Sequence, residues 1–320
     1  MIGLPNLLLK TSQYLETVNK QPSIHTMTPE EVRDLRASSL VKDDQNTVEL
    51  ANIKDEYIEV RDGSKIKIRI YTPVGEGPFP VIIYYHGGGW VINSIETSDR
   101  SCKQLAAITK SVVVSVDYRL APEFKYPTPV HDAYDAFLWT VENAKLINGI
   151  KHQISVMGDS AGANLATVVT LVAKDLQGPS IASQILLYPV TDLGYDTASY
   201  QEFAEGFGLE RKDMQWFGKY YLNNEEEKEH PYVAPLKARD VTGLPSAMII
   251  VAENDVLRDE GIAYGEKLKN ANVPVNQLVA KGLVHSFFTK NEVFSEEIEK
   301  TIVAVNSFLK ETLQPTKIAG

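Results

Sequence analysis

Short, mostly apolar runs recur along the chain, and stretches with helical periodicity separate most of them. The runs cover residues 80–85, 112–116, 154–157, 185–188, 247–251 and 275–279. Strands that are apolar on both faces, alternating with helices, are typical of a parallel sheet that helices cover on each side. The pattern therefore predicts an α/β fold with a mostly parallel central sheet.

Two other patterns frame these runs. Alternation of apolar and charged residues on either side of Asp62-Gly63 predicts a β-hairpin, with strands at residues 57–60 and 66–70. An amphipathic pattern over residues 292–313 predicts a helix that closes the chain.

Two segments lack the strand pattern. Residues 1–50 show amphipathic helical periodicity, and residues 193–232 are rich in aromatic side chains and contain an acidic run. We therefore expect N-terminal cap helices over 1–50 and an α/β core over 51–320, with a helical insertion at about 193–232. Both helical segments are expected to cap the carboxyl edge of the sheet, where ligands bind in such folds.

Composition narrows the range of partners. The chain has 320 residues, 43% of them hydrophobic, and a formal net charge of −10. This content is enough for a large core, and the acidic balance argues against nucleic acid or an anionic membrane surface as a partner. It favours a small, neutral substrate.

The single cysteine, Cys102, excludes an internal disulfide and favours a reducing compartment. It falls in a helical pattern, so we expect a buried structural thiol. The N-terminal stretch does not resemble a signal peptide, and no apolar run reaches the roughly 20 residues of a membrane span. A cytoplasmic location, without stable membrane insertion, is expected.

The most informative motif is Gly158-Asp159-Ser160-Ala161-Gly162. It follows an apolar run and precedes a helical pattern, which is the sequence form of a nucleophile elbow. A serine hydroxyl is a weak nucleophile and needs a nearby base and N–H groups that bind an oxyanion. Ser160 is therefore the candidate nucleophile.

The base is expected to be a histidine, since imidazole exchanges protons near neutral pH. In α/β hydrolases the chain order is serine, acid, histidine, with the histidine after the last strand. Four of the six histidines precede Ser160, and His230 falls in the insertion. His285, just after the run at 275–279, is the one that fits.

The acid should end the preceding strand, because it must hold the imidazole tautomer and stabilise the imidazolium. Asp255 follows the run at 247–251 and is the candidate. The rivals are Glu253, Asp259 and Asp192, which suit caps or surface charges better.

An oxyanion hole needs converging backbone N–H groups. Ala161 follows the nucleophile at a predicted helix N-terminus, where N–H groups lack intrahelical partners. Three consecutive glycines, Gly87, Gly88 and Gly89, follow the run at 80–85, and glycine lets the backbone turn its amides without steric conflict.

These motifs together resemble the hormone-sensitive-lipase-like carboxylesterases, a branch of the α/β-hydrolase superfamily. The resemblance rests on residues 86–90, 117–123, 158–162, 255–259 and 285–287, in that order. It implies a triad of Ser160, Asp255 and His285, an oxyanion hole and a helical cap. It also implies that residues 118–123 are structural.

The activity that this resemblance implies is hydrolysis of short- to medium-chain carboxylic esters, without a metal or organic cofactor. Trp90 and Tyr188 are candidates for the substrate pocket. A deacetylase or acyltransferase acting on a small-molecule ester remains an alternative, as does a non-catalytic receptor on the same scaffold. The retained triad residues argue against the receptor. Homodimer formation is left open.

Overall fold

One sheet of eight strands organises the computed structural model, which describes residues 6–38 and 48–313. The strand order is β1-β2-β4-β3-β5-β6-β7-β8. The bounds are β1 Leu50–Glu59, β2 Lys65–Pro73, β3 Phe79–Tyr85, β4 Val112–Asp117, β5 Gly149–Asp159, β6 Gln184–Leu187, β7 Ala247–Asn254 and β8 Val275–Val284.

The sheet is mostly parallel, as the apolar runs predict. Strands β1 and β2 form the expected antiparallel hairpin, and β2 pairs antiparallel with β4. The pairs from β4 through β3, β5, β6 and β7 to β8 are all parallel. The α/β fold class is confirmed.

Nine α-helices lie within the described residues. They are α1 Leu9–Val18, α2 Pro29–Ser38, α3 Ile95–Thr109, α4 Thr128–Asn143, α5 Ala161–Asp175, α6 Ala198–Glu202, α7 Arg211–Tyr221, α8 Arg258–Asn270 and α9 Asn291–Thr312. Short 3₁₀ turns occur at Ile24–Thr26, Glu225–Glu229, Pro235–Lys237 and Phe287–Thr289.

The sheet has a hydrophobic core on each face, and successive residues of a central strand pack alternately into one core and the other. In β3, Val81 and Ile83 belong to the core on the side of α4, α5 and α8, whereas Ile82 and Tyr84 belong to the core beneath α3 and α9. Because side chains alternate across a strand, a strand covered on both faces must be apolar at every position. Cys102 on α3 is fully buried in the second core and forms no disulfide.

The last strand differs from the expectation of burial on both faces. Strand β8 lies at the edge of the sheet, and Leu278 and Val279 are 39% and 37% exposed. Only its last three residues, at 282–284, are buried, and they lead directly to the loop that carries His285.

The N-terminal helices and the helical insertion, which together are expected to form the cap, contact each other. The Trp216 indole N–H donates to the Met27 carbonyl at 3.0 Å, and the Asn19 amide donates to the Gly206 carbonyl at 2.9 Å. Parts of the expected N-terminal cap, at 1–5 and 39–47, lie outside the described residues. In the parts of the chain that the structure describes, no helix is long and apolar enough to cross a membrane.

Candidate active site

Ser160 occupies the sharp turn between β5 and α5. Its φ of 57° and ψ of −120° place a non-glycine residue in a strained conformation, as in a nucleophile elbow. Gly158 and Gly162 make the turn possible by close packing. A Cβ on Gly162 would overlap the Tyr85 carbonyl, and one on Gly158 would overlap the backbone of Gly162.

The structure brings Ser160, His285 and Asp255 into one hydrogen-bonded chain. His285 Nε2 lies 2.9 Å from Ser160 Oγ, and His285 Nδ1 lies 2.7 Å from Asp255 Oδ2. A carboxylate only accepts hydrogen bonds, so the imidazole donates from Nδ1 and leaves Nε2 free to accept from the serine. Asp255 Oδ1 accepts the Leu257 N–H at 3.0 Å, which orients the carboxylate.

The rival acids have other partners. Glu253 accepts from the Lys281 ammonium at 2.8 Å and from the Gly282 N–H at 2.7 Å. Asp259 accepts from Arg258 and from the Ser199 N–H, both at 2.8 Å. Asp192 caps the Leu193 N–H, and burial raises its pKa. Of the four acids, Asp255 alone hydrogen-bonds to His285.

The glycine loop lies beside the serine. Gly88 and Gly89 have φ angles of 119° and 59°, a region that disfavours other residues, and both line the cavity at Ser160. Ala161 begins α5, where N–H groups have no intrahelical acceptor. Gly87 requires a correction, since its N–H is already donated to Asp159 Oδ1 at 2.8 Å and is not free for an oxyanion.

Asp159 is a component of the site that the sequence analysis missed. Its Oδ1 accepts from the Tyr84 hydroxyl at 2.8 Å as well as from Gly87. Burial raises the pKa of Asp159, and the bond from Tyr84 opposes that rise. The variable position of a Gly-x-Ser-x-Gly motif carries no signal for this role, because its partners lie 72 and 75 residues away.

A cavity of about 220 Å³ opens above the serine. Its floor is formed by the glycine loop, Ser160 and His285. Both helical segments contribute to the remaining wall, through Val18, Gln21, Ile24, Leu209, Met214 and Phe217.

The two expected pocket residues lie elsewhere. Trp90 is fully buried and stacks on Tyr221, with ring centroids 4.2 Å apart. Tyr188 is also buried and meets the His285 ring edge-on at 4.8 Å. Neither residue belongs to the wall of the cavity above Ser160, so their assignment to substrate contact is corrected to core packing.

Ion pairs hold the segment at 118–123 in place, as expected of a structural element. Arg119 binds Asp132 through Nε and Nη2, at 2.9 and 2.7 Å. Glu123 accepts hydrogen bonds from both Nη groups of Arg33 on α2, at 2.7 and 2.9 Å. The second contact joins the N-terminal helices to the catalytic core.

Within residues 6–38 and 48–313, one group of side chains has a spacing compatible with metal binding. His25, Glu210 and Asp213 place ligand atoms within 4.8 Å of one another. The Asp213 oxygens already accept from the His25 N–H and ring at 3.0 and 2.8 Å and from the Glu210 N–H at 3.1 Å. These hydrogen bonds explain why the three side chains lie together. They connect the N-terminal helices to the helical insertion.

Comparison with known proteins decides the family. A family model described as alpha/beta hydrolase fold matches residues 82–289. The chain belongs to this family. The match includes the glycine loop, Ser160, Asp255 and His285, so it covers every part of the α/β-hydrolase site described above. The resemblance to hormone-sensitive-lipase-like esterases is confirmed.

Several named relatives of this α/β hydrolase are esterases. An ethyl acetate hydrolase of Pseudomonas putida is 32% identical over 80% of this chain and 81% of its own. An arylesterase of Saccharolobus solfataricus is 34% identical over 81% and 82% of the two chains. The crystal structure of a thermostable esterase from Pseudomonas putida is similar with a TM-score of 0.91 and 34% identity, covering 98% of this chain and 99% of that one.

Proposed function

We propose that the protein is a serine carboxylesterase that hydrolyses short- to medium-chain carboxylic esters through an acyl-enzyme intermediate. One observation carries the proposal, namely the hydrogen-bonded chain from Asp255 through His285 to Ser160 at the floor of a cavity. In an α/β hydrolase this arrangement supplies a nucleophile, a base and a group that orients the base.

In the first half-reaction, Ser160 Oγ attacks the ester carbonyl carbon while His285 Nε2 takes the hydroxyl proton. The carbonyl oxygen becomes an oxyanion that the N–H groups of Gly88, Gly89 and Ala161 bind. The tetrahedral intermediate collapses, the bond to the alcohol oxygen breaks, and His285 returns the proton to the departing alcohol.

In the second half-reaction, water replaces the alcohol. His285 Nε2 takes a proton from the water as it attacks the acyl-serine, and the carboxylic acid leaves when the proton returns to Ser160 Oγ. Asp255 stabilises the imidazolium in both steps and keeps the ring in its productive tautomer.

The size of the cavity supports small to medium acyl groups. At about 220 Å³ it is larger than the roughly 150 Å³ cavities that accept benzene in other proteins. Ile24, Met214 and Phe217 supply an apolar wall for an acyl chain or a ring. The one ester in the name of the Pseudomonas putida ethyl acetate hydrolase is small, which agrees with this size.

The assignment of residues 1–50 and 193–232 to one cap belongs to the same proposal. The bonds between Trp216 and Met27 and between His25 and Asp213 support it. A cytoplasmic location and homodimer formation stay predictions.

The decisive experiment measures turnover of p-nitrophenyl butyrate and looks for a burst of p-nitrophenol equal to the enzyme concentration. The Ser160→Ala variant should lose both the burst and at least about 10⁴-fold in kcat. Ser183→Ala is the matched control, because Ser183 is a buried serine that bonds Ser155 Oγ at 2.8 Å, away from the cavity. Turnover by Ser160→Ala near that of the unmodified enzyme would refute the proposal.

A further inference from the structure

Two cationic side chains line the cavity above Ser160. Lys290 follows the His285 loop and is the N-cap residue of α9, and Arg36 lies on α2. The two groups come from different parts of the chain. Burial lowers the pKa of Lys290, and the charge of Arg36 lowers it further.

Lys290 occupies a position that is unfavourable for a cation. It is partly buried, the charge of Arg36 acts on it, and it lies at a helix N-terminus, where the helix dipole disfavours positive charge. Among residues 6–38 and 48–313, its ammonium group has neither a hydrogen bond nor an ion pair. A partly desolvated cation without a counter-ion is less stable than one in water, so an anion in the cavity would stabilise it.

The acidic residues of the same cavity are engaged elsewhere. Glu96 accepts from Lys67 and Arg69, each at 3.2 Å. Glu292 lies 3.7 Å from Arg100. Asp159 binds Gly87 and Tyr84, as described above. None of the three forms an ion pair with Lys290, which lines the space that the substrate would fill.

We propose that the cavity binds esters that carry a carboxylate, with Lys290 as the group that receives the negative charge. This inference rests on the proposed esterase function and specifies the substrate class of that site. It differs from the expectation of a neutral substrate, which rested on net charge alone. The overall charge of −10 describes the whole protein and does not show that Lys290 and Arg36 lie among the residues that line the cavity.

The chemistry of the proposed contact is a charge-assisted hydrogen bond. A carboxylate on the substrate would accept from the Lys290 ammonium and restore the solvation that burial removes. Because Lys290 and Ser160 line one cavity, the same bond would hold the ester group over the nucleophile. Positioning of this kind raises kcat/KM for the anionic ester relative to a neutral one of the same shape.

The test compares matched substrate pairs that differ in charge. Monoethyl succinate and its neutral amide, ethyl 4-amino-4-oxobutanoate, place the charge on the acyl side. The acetate esters of lactate and of lactamide place it on the alcohol side. For each pair the measured quantity is the ratio of kcat/KM for the anionic ester to kcat/KM for the neutral ester.

In at least one pair, Lys290→Met should lower this ratio by about tenfold or more, since a bond to a charged group is lost. Lys290→Arg keeps the charge and should keep the ratio within about threefold. The pair that responds tells which side of the ester carries the carboxylate. A ratio that Lys290→Met leaves unchanged in both pairs would overturn the proposal.

A binding measurement separates this inference from the esterase proposal. Succinate should raise the melting temperature of the unmodified protein more than that of Lys290→Met, whether or not any ester is turned over. Equal shifts in the two proteins would count against the anion site. Failure to hydrolyse p-nitrophenyl butyrate, with the succinate effect intact, would count against the esterase proposal alone.

Discussion

Asp159 Oδ1 accepts the Gly87 N–H at 2.8 Å, so the residue before the nucleophile holds the start of the glycine loop. The same oxygen accepts from Tyr84, which lies on the strand that leads into that loop. Movement of the loop relative to Ser160 therefore requires the loss of a buried hydrogen bond. The elbow and the proposed oxyanion hole are parts of one rigid unit.

Asp159→Ala should lower kcat for p-nitrophenyl butyrate by at least about tenfold, because the loop loses its anchor and the oxyanion donors shift. Asp159→Asn retains the Oδ1 acceptor and should keep most of the activity. Tyr84→Phe is the control, since it removes the second bond to Asp159 and leaves the bond to Gly87. Equal activity of the alanine and asparagine variants would show that Oδ1 does not position the loop.

Asp255→Asn should reduce kcat by about 10³- to 10⁴-fold while the protein remains folded. An amide can donate to His285 Nδ1 and so favour the tautomer that is unable to accept the serine proton. Asp259→Asn is the matched control, because Asp259 is a nearby aspartate bonded to Arg258 and Ser199. Steady-state kinetics give kcat for both variants. A similar loss of kcat in Asp255→Asn and Asp259→Asn would contradict the assignment of Asp255.

The strand pattern and the order of the motifs were enough to predict the parallel sheet and to bring Ser160, Asp255 and His285 together. Both predictions depend only on local sequence and on the order of motifs along the chain, which the fold imposes. The errors concern contacts between distant segments. The glycine run predicts Gly87 as an oxyanion donor, but its N–H is bonded to Asp159, 72 residues away, and no local pattern shows that bond. Likewise, no local pattern shows that Trp90 stacks on Tyr221 rather than facing the pocket.

Arg33 should contribute strongly to stability. Besides its two bonds to Glu123, it donates to the Val91 carbonyl at 2.8 Å and to the Ala121 carbonyl at 2.7 Å. Arg33→Ala should lower the free energy of unfolding by about 2 kcal/mol, since these are charge-assisted bonds in a partly buried site. Denaturant titration measures the change.

Lys212→Ala provides the comparison for Arg33. Lys212 forms an exposed ion pair with Glu205 at 3.1 Å, and exposed pairs contribute about 0–1 kcal/mol. A loss in Arg33→Ala no larger than that in Lys212→Ala would show that α2 is held to the core by other contacts.

The preference for anionic esters should depend on pH. Burial and the neighbouring Arg36 lower the pKa of Lys290 to about 8, while Glu292 and Asp159 oppose the shift. The ammonium therefore loses its proton as pH rises above 8, and the ratio of kcat/KM values for anionic and neutral esters should fall. In Lys290→Arg the guanidinium stays charged, so the decline should disappear. The same decline in both proteins would assign it to another group.

Lys290 should also destabilise the protein in the absence of substrate. Its pKa in the folded protein lies below the usual lysine value of 10.5, so the unfolded chain binds more protons between about pH 8 and 10.5. The cost of the buried charge is present in full below pH 8 and is relieved as pH rises through that interval. Lys290→Met should therefore raise stability at pH 7, on the order of 1 kcal/mol.

The check on this prediction is the melting temperature at two pH values. The gain from Lys290→Met over the unmodified protein should be present at pH 7 and much smaller at pH 10.5, and Lys290→Arg should show no gain. A methionine variant that melts below the unmodified protein at pH 7 would mean that Lys290 is stabilised by contacts that outweigh its desolvation.

The bond between His25 and Asp213 joins residues that are 188 positions apart. At usual rates of synthesis, about 10 to 40 s pass between the addition of these two residues to the growing chain. During that time Leu15 and Val32, which are buried in the finished molecule, lack the later segments that cover them. The cavity above Ser160 takes part of its wall from the earliest helices and needs His285, which is added 125 residues after the nucleophile. Ester hydrolysis would therefore begin only after His285 has joined the chain and the later segments have packed against the first helices.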